Sequence, residues 1–250
     1  MSRFICIGNQ KGGAGKTTTT ATLGAALAIW GARVLLVDLD SQGNLSTSLG
    51  LTPRPKLFDL LINRSSLESC VVETGRKNLW LLPGDSTTAE AKETLAGRSF
   101  REQALAKALQ PARGKFDYIL MDCAPSLDVL NICALVAARE VIMPVPVEYL
   151  AMVGAAAYSK ILDQFAQDGL ELKLTAVVPT FYDEVTVKCR EGIAVMRQQF
   201  GDKLADPIKK DVRIAEAPSF GRTIWEYRSK CAAADGYAAL MNRVIAAGAI

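Results

Sequence analysis

Residues 11–18 read Lys-Gly-Gly-Ala-Gly-Lys-Thr-Thr, and this glycine-rich stretch decides the fold. It follows an apolar run at 4–7 and precedes a segment rich in Thr, Ala and Leu, which predicts a strand, a loop and a helix start. The backbone N–H groups of such a loop can surround a triphosphate, and the helix N-terminus adds a favourable dipole. Lys16 would reach the β- and γ-phosphates, and the Thr17 hydroxyl would bind Mg²⁺.

This stretch, called the phosphate loop below, departs from the G-x-x-x-x-G-K-[ST] pattern at its start. Gln10 stands where the first glycine is usual, and a second lysine, Lys11, follows it. The form KGGxGKT resembles the deviant phosphate loop of the ParA/MinD family of ATPases. The resemblance implies that Lys11 reaches across a dimer interface to the partner's nucleotide, whereas the residue alone also fits a solvated loop cation. The implied nucleotide-binding residues of the loop are Lys11, Gly12, Gly13, Ala14, Gly15, Lys16, Thr17 and Thr18.

The bulk composition is that of an ordinary globular protein. The chain has 250 residues, of which 50% are hydrophobic, and this length suits one well-filled α/β domain spanning 1–250. No run of 18 apolar residues occurs, so we expect no transmembrane helix. Because the phosphate loop begins at residue 11, we expect no removable leader.

Histidine and cysteine usage narrows the possible chemistry. The chain has no histidine, which excludes His-based general bases and His metal sites and suits phosphoryl transfer by positioning, Mg²⁺ and lysines. Its six cysteines form no C-x-x-C pair, which argues against zinc-ribbon and thioredoxin-type sites. A reducing cytoplasm is therefore the expected compartment.

Short apolar runs alternate with helical patterns along the chain. The runs lack polar alternation, which predicts parallel strands buried on both faces. We therefore expect a doubly wound, mostly parallel sheet with helices on both faces, the α/β fold of P-loop NTPases. The predicted strands are 3–9, 33–38, 79–82, 117–122, 139–145 and 172–179. The predicted helices are 17–30, 87–97, 100–110, 127–137, 149–168, 187–201 and 231–247, and 207–220 is predicted to be irregular.

Two carboxylates follow the second predicted strand. The stretch 38–44 reads DLDSQGN and resembles the family's switch I segment, which implies that Asp40 orients the attacking water and contacts the magnesium shell. An acidic pair at the end of a buried strand is costly unless it meets a cation or hydrogen-bond donors. Asp38 therefore fits either a site carboxylate or a hydrogen-bonded structural one.

A third carboxylate, Asp122, ends the strand DYILMD, and an aspartate after an apolar strand is typical of a Walker B site. The expected metal ligands are thus Thr17, Asp40 and Asp122, and the expected catalytic residues are Lys11, Lys16 and Asp40. The stretch 122–128 resembles the family's switch II. The segment 144–149, PVPVEY, resembles the nucleotide-dependent dimer face, although a simple strand exit is the alternative.

The stretch 211–222, DVRIAEAPSFGR, resembles a segment of ParA/Soj-type partition ATPases. The resemblance implies that the residues just before it hold the adenine. Here Lys209 stands in place of the family's proline, and Asp211 stands in place of its asparagine.

Positive charge is concentrated in the same part of the chain. Between positions 186 and 230, ten Lys/Arg against six Asp/Glu give +4, whereas the whole chain carries +3. Such a surface can bind duplex phosphates without reading sequence, although a charge run is also typical of a solvated face. Val185 stands where the family usually has an arginine. The expected DNA-binding residues are Lys188, Arg190, Arg197, Lys209, Lys210, Arg213 and Arg222.

The resemblance implies an Mg²⁺-dependent ATPase that dimerises with ATP, binds DNA non-specifically and drives plasmid or chromosome partition with a ParB-like partner. A cytoplasmic, nucleoid-associated location follows from it. Three alternatives remain: another cargo such as a carboxysome, chemoreceptor cluster or cellulose-synthesis complex; a MinD-like membrane-cycling ATPase; and a non-hydrolysing switch. The last helix lacks the Lys-rich polar face of a membrane-surface helix, so no membrane partner is expected.

Overall fold

The computed structural model describes residues 2–248, which form a seven-stranded sheet with helices on both faces. The strand order is β3-β4-β2-β5-β1-β6-β7, and all pairs are parallel except β3 with β4. The expected fold class is therefore confirmed. The strands are β1 (Arg3–Ile7), β2 (Val34–Asp38), β3 (Val72–Glu73), β4 (Leu79–Leu82), β5 (Tyr118–Asp122), β6 (Glu140–Pro146) and β7 (Lys173–Thr180).

Helices and short 3₁₀ turns connect the strands. The longest are α8, which follows β6, and α12, which ends at Ala247. The helices are α1 (Lys16–Trp30), α2 (Asn44–Ser48), α3 (Lys56–Leu61), α4 (Leu67–Cys70), α5 (Thr87–Ala96), α6 (Ala104–Ala108), α7 (Val129–Ala137), α8 (Tyr149–Gln167), α9 (Val187–Phe200), α10 (Val212–Glu216), α11 (Ile224–Arg228) and α12 (Ala232–Ala247).

Each face of the sheet has its own hydrophobic core. Successive strand residues point to opposite faces, so in β1 Cys6 joins one core while Ile5 and Ile7 join the other. The core containing Ile5 is closed by α1 and α12, and the core containing Cys6 is closed by α3 to α9. Burial on both faces explains why the strands read as uninterrupted apolar runs.

Two local expectations were wrong. The stretch 100–110 is not one helix: Phe100 lies in the left-handed region with φ of 55°, a 3₁₀ turn follows, and α6 spans only Ala104–Ala108. The stretch 207–220 is not irregular throughout, because it contains α10 and a 3₁₀ turn at Ala217–Phe220. The Asp211 side chain accepts a hydrogen bond from the Arg213 N–H and so caps the start of α10.

The sheet order places the functional side chains. Strand β5 lies between β1 and β2, and Asp122 is in register with both Ile7 and Asp38. Because these strands are parallel, their carboxyl ends meet at one edge of the sheet. The phosphate loop, residues 38–44 and Asp122 therefore meet there.

Candidate functional site

The phosphate loop is held open by its glycines. Gly13 and Gly15 have φ of 70° and 88°, a left-handed conformation that other residues rarely adopt. Gly15 immediately precedes α1, so the free N–H groups of the first helical turn face the loop. The Thr180 hydroxyl, at the end of β7, donates a hydrogen bond of 3.1 Å to the Ala14 carbonyl. This loop is a preformed anion cradle.

Lys16 lies inside this cradle with only 7% of its surface exposed. Its ammonium donates a hydrogen bond of 3.1 Å to the Lys11 carbonyl. Burial lowers the pKa of Lys16, and the negative charge of Asp122 acts in the opposite direction. The side chain is thus folded back over the loop, where its charge is available to a bound phosphate.

Asp122 provides the observation that tests the magnesium site. Its Oδ1 atom accepts a hydrogen bond of 3.4 Å from the Thr20 hydroxyl, whereas no group in residues 2–248 hydrogen-bonds Oδ2. Burial raises the pKa of Asp122 to about 7, and the nearby Thr17 hydroxyl and the charge of Lys16 act in the opposite direction. A buried carboxylate oxygen without a partner is costly. A hard cation beside Thr17 and Asp122 would satisfy it, so these residues fit Mg²⁺.

Asp38 and Asp40 differ in their surroundings. Asp38 is fully buried, and its oxygens accept hydrogen bonds from the backbone N–H groups of Asp40 (3.1 Å) and Leu45 (3.2 Å). Burial, reinforced by the charge of Asp122, raises its pKa. Asp38 therefore shapes the start of α2. Asp40 is only partly buried and lines the cavity beside the loop, and its Oδ1 accepts a hydrogen bond from the Gln42 N–H.

A cavity of about 630 Å³ extends from the phosphate loop across the edge of the sheet. At one end it is lined by the loop and Asp40. The other end is lined by side chains from the loop after β7, the segment before and within α10, and α12. These include Phe181, Ile208, Lys209, Asp211, Val212 and Tyr237. The cavity has a polar end for phosphates and a more apolar end suited to a base and sugar.

At the apolar end, Asp211 is engaged by the protein. Its side chain is 7% exposed, and it accepts a hydrogen bond from the Arg213 N–H and pairs with the Arg213 guanidinium at 3.5 Å. Burial acts to raise the pKa of Asp211, but the hydrogen bond from the Arg213 N–H and the positive charge of Arg213 act in the opposite direction, and the pKa is lowered. Both carboxylate oxygens thus already have partners in the protein.

Lys209 and Lys210 also line this cavity. The Lys209 ammonium pairs with Glu184 at 2.6 Å, in the loop between β7 and α9. Lys210 is exposed. Two residues expected to bind DNA therefore lie at the mouth of the nucleotide cavity.

The remaining basic residues do not share one face. At 3.6 residues per turn, Arg190 and Arg197 lie roughly 20° apart around α9, whereas Lys188 lies roughly 160–180° from both. The Arg190 guanidinium donates to the carbonyls of Glu184 (2.8 Å) and Val185 (3.1 Å). Arg213 and Arg222 belong to a separate segment, on α10 and after the following 3₁₀ turn.

Lys11 lies at the rim of the site. Its ammonium pairs with the Glu148 carboxylate at 2.6 Å, which brings the segment 144–149 against the phosphate loop. The next two side chains, Tyr149 and Leu150, are 75% and 76% exposed. Tyr149 and Leu150 thus form an exposed apolar pair next to the Lys11–Glu148 ion pair.

Two residues that support the loop were missed in the sequence. The Asn9 amide donates to the Pro144 carbonyl at 2.6 Å, while its oxygen accepts from the Lys11 N–H at 3.0 Å. Thr180 holds Ala14 as described. The only signal for Thr180 was a polar residue at the end of an apolar strand, and Asn9 carried none.

The described residues also limit what else the site can hold. Across residues 2–248, no three His, Cys, Asp or Glu side chains cluster in a way that could hold a metal ion. Mg²⁺ commonly keeps several waters and binds phosphates, so a site with few protein ligands, such as Thr17 and Asp122, is compatible with it. Among the same residues, no helix combines the length and apolar character needed to cross a bilayer.

The fold and the phosphate loop define the class of P-loop nucleotide-binding proteins. A family profile, AAA_31, described as an AAA domain, matches residues 2–175. The chromosome partitioning protein ParA of Caulobacter vibrioides is 37% identical, over 97% of this chain and 94% of that protein. The sporulation initiation inhibitor protein Soj of Bacillus subtilis is also 37% identical, over 99% of this chain and all of Soj. The chain therefore belongs to the ParA/MinD family of partition-type P-loop ATPases.

A solved structure with a bound nucleotide has the same fold. A Mycobacterium smegmatis protein called cobyrinic acid a,c-diamide synthase, with an ATP analogue and magnesium bound, superposes with a TM-score of 0.84. It is 33% identical, and the match covers 98% of this chain and 95% of that one.

Proposed function

We propose that this protein is an Mg²⁺-dependent ATP hydrolase of the ParA type, whose ATP-bound dimer binds DNA without sequence preference. One observation carries the nucleotide part of the proposal. Lys16 is buried in the preformed anion cradle, and Asp122, whose Oδ2 no group in residues 2–248 hydrogen-bonds, lies near Lys16 and Thr20. A cation, a lysine and a ring of backbone N–H groups around one cavity suit a triphosphate.

Each residue has a distinct task in hydrolysis. Thr17 and Asp122 would hold Mg²⁺, which when bound offsets the charge of the phosphates. Lys16 offsets the negative charge that develops on the γ-phosphate oxygens. Asp40, on the more exposed side of the cavity, orients the attacking water. The remaining loop residues, 12–15 and Thr18, bind phosphate oxygens through their backbone N–H groups.

The dimer is assigned to the surface formed by Lys11 and the segment 144–149. When two subunits close on ATP, Lys11 leaves Glu148 and reaches the phosphates of the partner subunit. Because the Lys11–Glu148 pair is largely solvent-exposed, at 35% and 67%, breaking it costs little. The exposed Tyr149 and Leu150 supply apolar contact area beside it.

DNA binding is assigned to the basic residues of α9 and of residues 209–222, with Lys188 on the opposite side of α9 from Arg190 and Arg197. Relatives named for chromosome partitioning support a role in plasmid or chromosome partition with a ParB-like stimulating protein. In the proposed cycle of ATP binding and hydrolysis, the ATP-bound dimer would tether cargo to the nucleoid in the cytoplasm. Hydrolysis would separate the dimer and release it from DNA.

The mass of the protein in solution tests the dimer. With ATP and Mg²⁺ we expect the wild-type chain to become a dimer, and with ADP to remain a monomer. Lys11→Ala should remain a monomer with ATP. The matched control is Lys115→Ala, which removes another exposed lysine, one paired with Glu68. Dimerisation of Lys11→Ala as strong as that of the wild type would show that Lys11 does not bridge the subunits.

A further inference from the structure

One arginine far from the phosphate loop uses all of its N–H groups. Arg76, in the turn between β3 and β4, is 17% exposed at its side chain. Its Nε atom donates to both oxygens of Glu226, at 2.9 and 3.1 Å. Its Nη1 atom donates to the carbonyls of Leu49 (3.0 Å) and Thr74 (3.3 Å). Its Nη2 atom donates to the Gly221 carbonyl (2.8 Å) and to Glu226 (2.9 Å).

These partners belong to three separate parts of the chain. Leu49 ends α2, Thr74 lies in the turn that holds Arg76, and Gly221 ends the 3₁₀ turn after α10. Glu226 is itself fixed, because it accepts hydrogen bonds from the Thr223 N–H (2.8 Å) and hydroxyl (3.0 Å). A guanidinium with five directed donors can join such groups in one geometry, which a lysine cannot do.

A backbone contact lies next to this arginine. Gly50 and Gly221 have φ of 74° and 62°, and a Cβ atom built on Gly221 would lie 2.6 Å from the Gly50 Cα. The two segments therefore touch through glycines, with no side chain between them. Any displacement of the end of α2 must be followed by Gly221 or must break this contact.

The two segments that Arg76 joins lead to different parts of the molecule, one to the nucleotide cavity and one to residues expected to bind DNA. Helix α2 starts at the phosphate end, where Asn44 lines the cavity and the Leu45 N–H is bound to Asp38. Gly221 is preceded by α10, which carries Arg213, and is followed by Arg222. Arg76 itself does not line the nucleotide cavity.

We propose that Arg76 is a positioning residue that couples residues 38–49 at the nucleotide to residues 213–222, so that the DNA affinity of the latter depends on the bound nucleotide. This inference rests on the proposed function. It assigns a role to the segment EAPSFG that neither ATP binding nor hydrolysis requires. The physical basis is the short helix α2. Its first residue, Asn44, lines the phosphate end of the cavity, and the chain just after its last turn contacts Gly221.

The test compares DNA affinity with ATP and with ADP, because a merely structural defect would lower both equally. Arg76→Ala should reduce the ATP-to-ADP ratio of DNA affinity about tenfold, while ATP affinity changes by less than about twofold. Arg76→Lys keeps the charge but not the five donors and should behave similarly. Gly221→Ala disrupts the contact between Gly50 and Gly221 without changing Arg76. It should reduce the ATP-to-ADP ratio of DNA affinity to a similar extent.

Two matched controls isolate the effect. Arg139→Ala removes an exposed arginine paired with Glu171, and Gly169→Ala adds a Cβ to another left-handed glycine with no atom within 4 Å. Both should keep the wild-type ratio. Melting temperatures identify any variant that fails to fold. If Arg76→Ala does not fold, the ATP-to-ADP ratios of Arg76→Lys and Gly221→Ala test the coupling.

Hydrogen exchange provides a readout that does not need DNA. ATP should change the exchange of residues 217–223 in the wild type and not in Arg76→Lys. If both proteins respond equally, or if all three variants keep the wild-type DNA ratio, the coupling role is wrong. If wild-type DNA binding does not depend on nucleotide while the exchange difference holds, the proposed function and the link to DNA affinity fail, and only the structural coupling of residues 38–49 to residues 213–222 through Arg76 stands.

Discussion

The phosphate loop and the segment 207–228 both line one cavity, the segment through residues 208–215, but they are built in different ways. The loop cradle is made of backbone, with left-handed glycines and the start of α1. The segment 207–228 relies on side chains that are already engaged, such as Asp211 with Arg213 and Lys209 with Glu184.

This difference shows where a motif is informative. A backbone cradle depends on a few glycines close together in the sequence, so the eight residues 11–18 are enough to predict it. A side-chain surface depends on which partners the fold supplies, and these lie up to 25 residues away for Lys209. We therefore expect substitutions at the loop to have large, uniform effects and those at residues 207–228 to have smaller effects.

The largest effect is expected at Lys16. Lys16→Ala removes a buried ammonium from the anion cradle, so ATP affinity should fall by at least about 30-fold. Titration with a fluorescent ATP analogue measures this, with the exposed Lys115→Ala as the control. Retained ATP binding would show that the cradle does not hold the triphosphate.

Asp40 should separate hydrolysis from binding. Asp40→Ala leaves the cradle intact, so it should bind ATP and form a dimer that stays on DNA, while turnover falls by about 100-fold or more. Phosphate release and DNA retention measure the two effects. Asp163→Ala, at an exposed carboxylate of α8, is the control. An Asp40→Ala protein that remains monomeric with ATP would contradict the role given to this residue.

Lys209 and Lys210 test whether the mouth of the cavity also contacts DNA. Replacing both with alanine should weaken DNA binding and reduce the slope of log affinity against log salt by about 1.8, if each neutralises one phosphate. Glu184→Gln, which releases Lys209 from its ion pair, should strengthen DNA binding slightly. An unchanged salt slope in the double variant would place the DNA-binding face elsewhere.

The smallest effect is expected at Asp211. Asparagine caps a helix as well as aspartate, so Asp211→Asn should change the free energy of unfolding by less than about 0.5 kcal/mol. ATP affinity should change by less than about threefold, because both carboxylate oxygens are engaged by Arg213. Denaturant unfolding and ATP titration measure both quantities. A tenfold gain in ATP affinity would mean that Asp211 faces the base.

Much of the fold was predictable because six strands are buried on both faces and read as apolar runs. Strand β3, Val72–Glu73, was missed because two residues are too few to show the alternating hydrophobic pattern of a strand. Helix α10 was missed because Pro218 and Gly221 indicate a loop, although Asp211 was a recognisable cap. The predicted helix 100–110 failed because Phe100 adopts a left-handed conformation and Pro111 lies in a further 3₁₀ turn.

The site was predictable only where it is local in sequence. The phosphate loop could be read directly, and the structure brings Asp40 and Asp122 to it. The support from Thr180 comes from a residue 166 positions away from Ala14. The hydrogen bonds of Arg76 reach Leu49 and Glu226, which are 27 and 150 positions away in the sequence, so no short motif could predict them.

The most direct test of the whole account is binding to non-specific duplex DNA with ATP, with ADP and without nucleotide, at two salt concentrations, with liposomes alongside. We expect DNA binding only with ATP, weaker at the higher salt, and no liposome binding. ATP-dependent binding to liposomes without DNA binding would contradict it and would place this protein with the membrane-cycling members of its family.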